Sequence, residues 1–114
     1  MHEMSLVQSL LAQLATLAAS HNKKRVITVT VAIGPLSGVV IDSFQFGFDI
    51  LSAENDLTKG AKLIIISPPA SYQCIRCGHR LSVAVRPDSC PVCDETLLIP
   101  EGGDGIILNQ VEME

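Results

Sequence analysis

Two Cys-x-x-Cys pairs constrain this chain of 114 residues more than any other feature. Cys74 and Cys77 form the first pair, Cys90 and Cys93 form the second, and residues 78–89 separate them. Each pair can form a tight turn that offers two thiolates to one ion, and two such turns complete a tetrahedron. Zinc suits this site because it prefers thiolates and imposes no electronic geometry. The spacing predicts one structural Zn(II) held by all four cysteines.

Other roles for the cysteines fit the spacing less well. A thioredoxin-type redox motif uses one Cys-x-x-Cys that follows a strand and opens a helix, which leaves the second pair unexplained. A disulfide framework needs an oxidising compartment, for which the sequence gives no sign. Four cysteine ligands leave no open position for catalysis, so the zinc is expected to be structural or regulatory. His79 is a candidate to replace one cysteine when the protonation or redox state changes.

The charge pattern narrows the classes of partner. The formal net charge is −4, and the eight basic residues are scattered along the chain. Nucleic-acid-binding proteins usually carry a clustered basic surface, so we expect no nucleic-acid partner. No apolar run is long enough to span a bilayer, and the N-terminal segment lacks the positive region of a signal peptide. These features predict a cytoplasmic protein with no membrane partner.

Two helices are expected before the cysteines. Helical periodicity over residues 4–19 places apolar side chains on one face, namely Val7, Leu10, Leu11, Leu14, Leu17 and Ala18. A second helix is predicted to open at Asp42, with Gln45 completing a capping box. Its buried face is expected to consist of Phe44, Phe48, Ile50 and Leu51.

Strand patterns complete the predicted fold. β-Branched alternation favours strands over residues 25–33 and 61–67, and Ile106–Met113 resumes strand-like alternation after the glycine-rich joint at 102–105. We expect this last strand to return to the first sheet. The prediction is an α+β fold with two helices on a small three-stranded sheet and a four-cysteine, zinc-ribbon-like domain inserted before the last strand. The expected domains are residues 1–69, completed by 105–114, and residues 70–104.

The first three residues form a second candidate metal site. If Met1 is retained, its α-amine, the His2 backbone nitrogen and the His2 imidazole can close adjacent chelate rings on one metal. The Glu3 backbone nitrogen or its carboxylate can supply the fourth donor. Nitrogen and oxygen donors in a plane suit Ni(II) or Cu(II) better than zinc. Binding requires a deprotonated amine, whose pKa is ordinarily about 7.7–8.0, so affinity should fall as the pH falls.

Several motifs in a fixed order extend this picture. They are Met1-His2-Glu3-Met4-Ser5-Leu6, Ile33-Gly34 with Ser37-Gly38-Val39, Phe46-x-Phe48-Asp49, both cysteine pairs with Gly78 and Pro91, and Val111-Glu112. Together they resemble the HypA/HybF family of nickel-incorporation proteins for NiFe-hydrogenase maturation, over essentially the whole chain.

The resemblance implies a nickel metallochaperone with two metal sites, and no enzyme. His2 would be the essential nickel ligand, helped by Glu3 and the terminal amine of Met1, and the four cysteines would hold zinc. It also implies a HypB-type GTPase as partner and the hydrogenase large subunit as recipient of nickel, with urease maturation proteins as further partners of some relatives.

The chain departs from the family pattern in two places. Some members carry a carboxylate directly after Ser37-Gly38, where this chain has Val39, Val40 and Ile41. Asp42 is the first carboxylate there, and it serves either as a further nickel ligand or, as we favour, as the cap of the second helix. Asp94-Glu95 also follow Cys93 where relatives often have a small turn residue, so this zinc turn is expected to differ in detail.

Two questions stay open from the sequence. The alternative function is a zinc-ribbon adaptor that binds protein or nucleic acid without a nickel role, and it predicts that His2 is replaceable. The oligomeric state is either monomeric or homodimeric, since the aliphatic strands leave room for self-association.

Overall fold

The computed structural model describes residues 2–83 and 86–114, and for His2 the backbone only. The elements follow in the order α1 His2–Ser20, β1 Val26–Ile33, α2 Ile41–Ser52, β2 Lys62–Ile66, β3 Ala70–Cys74, β4 Arg80–Val83, β5 Leu98–Glu101 and β6 Ile106–Met113. They divide between two compact units. Unit 1 comprises Met1–Val31, Val39–Ile66 and Ile107–Glu114, and unit 2 comprises Ala32–Gly38 and Ser67–Ile106.

The sheet of unit 1 has the strand order β2-β1-β6. Arg25, just before β1, and Glu114, just after β6, exchange backbone hydrogen bonds of 3.0 and 2.9 Å. The start of β1 therefore lies beside the end of β6, and the two strands run antiparallel. This pairing confirms the prediction that the last strand returns to the first sheet after the cysteine-containing segment.

The core of unit 1 is built from the stripes that periodicity predicted. On α1 the fully buried positions are Val7, Leu10, Leu14 and Ala18, and on β1 they include Val26, Val29 and Val31. On α2, Phe44 and Phe48 are buried, whereas the prediction for Ile50 is wrong because its side chain is 43% exposed. Each buried large apolar side chain contributes roughly 1.5–3 kcal/mol, so packing alone can stabilise this unit.

The start of α2 differs from the predicted capping box. The helix begins at Ile41, its N-cap is Val40, and no side chain of the N-cap residue bonds to the helix. The prediction that Asp42 caps α2 together with Gln45 is therefore wrong. Instead, Gln45 Nε2 donates to Asp49 Oδ1 at 3.0 Å, one turn further along the helix.

The sheet of unit 2 has the order β4-β3-β5, with both pairs antiparallel. Its buried cluster is small and consists of Ala70, Tyr72, Cys74, Cys90 and Leu98. The guanidinium of Arg86 lies 5.4 Å from the centroid of the Tyr72 ring and donates to the Leu98 carbonyl at 3.0 Å. Two of the five buried residues are cysteines, so the core of this unit and its candidate metal site share side chains.

Within residues 2–83 and 86–114, neither helix combines the length and the apolar character that crossing a membrane requires.

Candidate metal centres

The four cysteine sulfurs of unit 2 meet at one point. Their Sγ atoms all lie within 4.8 Å of one another. The Cys74–Cys93 sulfur distance is 3.5 Å and the Cys77–Cys90 distance is 3.6 Å. Both exceed the length of about 2.05 Å of a disulfide bond, and the four cysteines are free. The two pairs therefore converge on one position, as a shared ion requires and as a single-pair redox motif does not.

The first cysteine pair forms a compact turn at the end of β3. The Gly78 N–H donates to the Cys74 carbonyl at 3.1 Å, and the Cys74 N–H donates to the His79 carbonyl at 2.8 Å. Gly78 has a φ of 77°, a left-handed conformation that glycine adopts without steric cost. This geometry folds the chain back so that Cys74 and Cys77 present their sulfurs to the same side.

The second pair repeats the same turn with different residues. The Asp94 N–H donates to the Cys90 carbonyl at 2.9 Å, and the Cys90 N–H donates to the Glu95 carbonyl at 2.7 Å. Asp94 occupies the position equivalent to Gly78 and has a φ of 63°. Aspartate tolerates the left-handed region better than most residues, although at some cost. The turn that was expected to differ in detail thus keeps its hydrogen bonds and differs in the residue that makes the bend.

Backbone amides point at the sulfurs. Cys74 Sγ accepts from the N–H groups of Arg76 at 3.4 Å and Cys77 at 3.5 Å, and Cys90 Sγ accepts from the Val92 N–H at 3.4 Å. Donors aimed at sulfur stabilise its thiolate form. The turns therefore prepare the sulfurs for a cation before any cation binds.

The thiols differ in acidity because they share a small volume. The pKa of Cys74 is lowered to about 7, chiefly because its sulfur accepts a hydrogen bond from the Cys77 N–H. The Arg76 N–H and the thiols of Cys93 and Cys77 act in the same direction, and burial acts against them. The N–H of Glu95 acts in the same direction on Cys93, but burial and the neighbouring cysteines raise the pKa of Cys93 to about 12. The N–H of His79 and the Cys93 thiol lower the pKa of Cys77, but burial and the Cys90 and Cys74 thiols outweigh them, so its pKa is raised. Four thiolates cannot coexist there without a compensating cation.

The donor set fits zinc. A tetrahedral ion with Zn–S bonds of about 2.3 Å places its sulfurs about 3.8 Å apart, close to the two separations found here. Cys74 and Cys90 are buried, Cys93 is half-buried and Cys77 is exposed, so the site lies at the edge of the small core. His79 is exposed, and within the described residues its imidazole does not belong to the cluster of ligand atoms.

The N-terminal candidate ligands are only partly described. Met1 and the side chain of His2 lie outside the described residues. The backbone of His2 begins α1, and Glu3 lies in its first turn. Glu3 Oε2 accepts a hydrogen bond from the Val40 N–H at 3.3 Å. Asp42 is exposed on the first turn of α2. Its role as a nickel ligand stays a prediction.

The sequence analysis named Glu3 and Asp94 but did not predict the structural role that each has here. The Glu3 carboxylate reaches the start of α2, 37 residues away, and no local pattern signals such a contact. The left-handed Asp94 had a signal, because it occupies the place after a Cys-x-x-Cys pair that Gly78 occupies in the first turn.

The fold and the cysteine cluster define a small metal-binding protein with a four-cysteine site in one unit and two helices on a sheet in the other. A family model described as "Hydrogenase/urease nickel incorporation, metallochaperone, hypA" matches residues 1–113. The chain belongs to the HypA family, and it is accordingly a protein of the metallochaperone class and not an enzyme.

Curated relatives and solved structures agree with this family assignment. The chain is 38% identical over 114 residues to the hydrogenase maturation factor HypA of Alkalilimnicola ehrlichii, covering 100% of both chains. It is 33% identical over 113 residues to that of Azorhizobium caulinodans, covering 99% of both. The solution structure of the nickel metallochaperone HypA from Helicobacter pylori matches with a TM-score of 0.68 and 27% identity, covering 97% of this chain and 96% of that one. These likenesses confirm the resemblance and the α+β fold.

Proposed function

We propose that this protein carries Ni(II) at its N-terminus and delivers it during NiFe-hydrogenase maturation, while Cys74, Cys77, Cys90 and Cys93 hold a structural Zn(II). The observation that carries the proposal is the family match over residues 1–113, which includes both candidate metal centres. The two centres differ in their donors, and this difference allows one chain to hold two metals without exchanging them.

The start of α1 suits Ni(II). The first N–H groups of a helix have no partner within the helix, so the amide nitrogens of His2 and Glu3 stand outside its hydrogen-bond ladder. Together with the α-amine of Met1 and the imidazole of His2, they offer four nitrogen donors. Such a set favours planar Ni(II) or Cu(II) coordination. The Glu3 carboxylate and Asp42 are the further candidate donors.

The cysteine cluster suits zinc in a structural role. All four positions of a tetrahedron are taken by sulfur, which leaves no site for a reacting group. Because two of these cysteines belong to the buried cluster of unit 2, a bound ion would stabilise that cluster directly. Thiolates are soft ligands, and nitrogen donors at a chain terminus are harder, so each centre selects against the other's metal.

A carrier must also release its cargo. Donors supplied by a chain terminus are less rigidly held than donors buried in a cage, which favours fast exchange. We propose a HypB-type GTPase as the partner and the hydrogenase large subunit as the recipient. The family description also names urease, so urease maturation proteins are a second class of partner to test.

The test is a calorimetric Ni(II) titration of tag-free, zinc-loaded protein, with intact mass used to establish that Met1 is the first residue. His2→Ala is the test variant. His21→Ala is its matched control, because His21 is an exposed histidine directly after α1. Zinc content is measured in all three proteins.

The proposal predicts that wild type and His21→Ala bind Ni(II) with equal affinity, that His2→Ala does not bind, and that all keep one zinc per chain. Equal nickel binding by wild type and His2→Ala, or no binding by either, would contradict the terminal site. The zinc-ribbon adaptor would then be the leading account.

A further inference from the structure

The N-terminus of α2 is capped from another helix. Its N-cap residue Val40 is extended, with φ −83° and ψ 107°, and has no side chain that can accept a hydrogen bond. The Val40 carbonyl accepts the first helical bond, from the Phe44 N–H at 3.0 Å. The Val40 N–H donates to Glu3 Oε2 at 3.3 Å, so the partner of the N-cap amide comes from the first turn of α1.

This contact corresponds to one of the two hydrogen bonds of a capping box, but its carboxylate comes from a different helix. In a capping box, a Glu or Gln at the third helical position reaches back to the N-cap N–H. Ser43 occupies that position in α2 and is too short for the role, so Glu3 supplies the carboxylate instead. The carboxylate lies at the positive ends of both helices, where negative charge is stabilising.

We infer that the Glu3 carboxylate is a positioning group that ties the nickel-binding terminus to α2, while the donor that Glu3 offers to Ni(II) is the backbone nitrogen already proposed. The inference rests on the proposed nickel site at residues 1–3 and assigns the two ends of Glu3 to different tasks. The side chain faces α2, while the backbone nitrogen belongs to the open end of α1.

The consequence is a terminus whose third residue, Glu3, is anchored to the start of α2. Anchoring one residue lowers the entropy that nickel binding must remove from the others. It also sets where the ion is presented, namely beside the first turn of α2. A carboxylate that served as a ligand through Oε2 would have to leave the Val40 N–H, and nickel binding would then uncap α2; a ligand role through Oε1 would instead be seen as a loss of affinity in Glu3→Gln.

Two substitutions separate these roles. Glu3→Gln keeps an acceptor of the same length, so it should preserve the hydrogen bond to Val40. Glu3→Ala removes the acceptor. Both variants keep the backbone nitrogen of residue 3. The side-chain amide introduced by Glu3→Gln is a poor ligand for Ni(II), so this variant keeps the hydrogen bond but loses any ligand role of the carboxylate. The measurements are the hydrogen-exchange rate of the Val40 amide by NMR, with and without Ni(II), and the nickel dissociation constant of each tag-free protein.

We expect Glu3→Gln to bind Ni(II) within about threefold of wild type and Glu3→Ala to bind about fivefold more weakly, as expected for the loss of one net hydrogen bond. The Val40 amide should exchange at the same rate before and after nickel is added to wild type, and faster in Glu3→Ala. Equal, large losses of affinity in both variants, or faster Val40 exchange on nickel addition, would overturn the inference. Failure of the proposed function is seen separately, as unchanged nickel binding in His2→Ala.

Discussion

The two units of this protein are stabilised in different ways. Unit 1 buries a continuous set of aliphatic and aromatic side chains from α1, α2 and the sheet, with Val7, Leu14 and Phe48 completely inaccessible to solvent. Unit 2 has five buried residues in its cluster, and Cys74 and Cys90 are two of them. The first unit is stable through packing, whereas the second depends on side chains whose preferred partner is a metal ion.

This difference matches the two proposed tasks. A rigid packed unit provides a fixed base for a terminus that binds and releases cargo. The described residues of the cysteine unit form only a small apolar cluster, and in the proposed function a bound ion adds the stability that this cluster lacks. Under the proposed function, one chain could hold a permanent metal and a transient one, because the two candidate centres lie on units stabilised by different forces.

Metal removal should separate the two units most strongly. Reduced protein treated with a zinc chelator is expected to lose amide protection across unit 2, while the amides of α1 and β1 stay protected. Zinc binding contributes about 10–16 kcal/mol to folding in small zinc modules, far more than five buried residues supply. The measurement is residue-specific hydrogen exchange by NMR, with reductant alone as control. Persistent protection of β3 in verified metal-free protein would contradict the comparison.

A core substitution should have the opposite selectivity. Phe48→Ala removes a completely buried ring from unit 1, and about 3–5 kcal/mol of stability should be lost, as measured by urea unfolding followed by circular dichroism. Phe46→Ala is the control, because Phe46 lies on the same helix but is 66% exposed, and it should change stability by about 0.5 kcal/mol or less. Both variants should keep one zinc per chain. A large loss of stability in Phe46→Ala would contradict the assignment of Phe48 to the buried face of α2 and Phe46 to its exposed face.

The pH dependence of zinc binding follows from the thiol acidities. The pKa of Cys93 is raised to about 12 and that of Cys77 is raised above its usual value, so both thiols carry protons at pH 7 in metal-free protein. Zinc must displace these protons, so affinity rises with pH and falls as the pH falls. At least about two protons should leave per ion, a change of at least about 100-fold in affinity per pH unit near neutrality. Calorimetry in two buffers of different ionisation enthalpy measures the number released, and a release near zero would contradict the clustered geometry.

The smallest expected effects lie in the two equivalent turns. Gly78→Ala meets no steric obstacle but forces a left-handed alanine, at a cost of about 1–2 kcal/mol in zinc affinity. Asp94→Gly removes the steric cost of the left-handed conformation at position 94 in the second turn, so zinc should bind as tightly as in wild type or slightly more tightly. Competition with a chromogenic chelator ranks the proteins. If Asp94→Gly weakened binding as much as Gly78→Ala, the two turns would not be equivalent.

Local patterns predicted the elements of the fold well. The stripe on α1 and the alternation of β1 follow from apolar spacing, and the structure buries Val7, Leu10, Leu14, Val29 and Val31 as expected. The cysteine spacing likewise predicted one cluster, because two turns of this kind need only local hydrogen bonds to present their sulfurs.

The errors arose where the decisive contact is distant in sequence. Asp42 followed by Gln45 has the form of a capping box, but the N-cap of α2 is Val40, two residues earlier, and its amide bonds to Glu3. Ile50 was assigned to the buried face by its neighbours, yet the buried side of α2 is that of Phe44, Gly47 and Phe48, where Gly47 lies against Met4 and Val7 of α1. Neither outcome can be derived from a window of one helix, because the partner residues belong to α1.

The measurement that tests the central claim most directly is X-ray absorption at both metal edges of tag-free protein loaded with one Zn(II) and one Ni(II) per chain. The account predicts four sulfur neighbours at about 2.3 Å around zinc, and only nitrogen or oxygen neighbours around nickel. Sulfur in the nickel shell, or nitrogen in the zinc shell, would contradict the assignment of one metal to each unit.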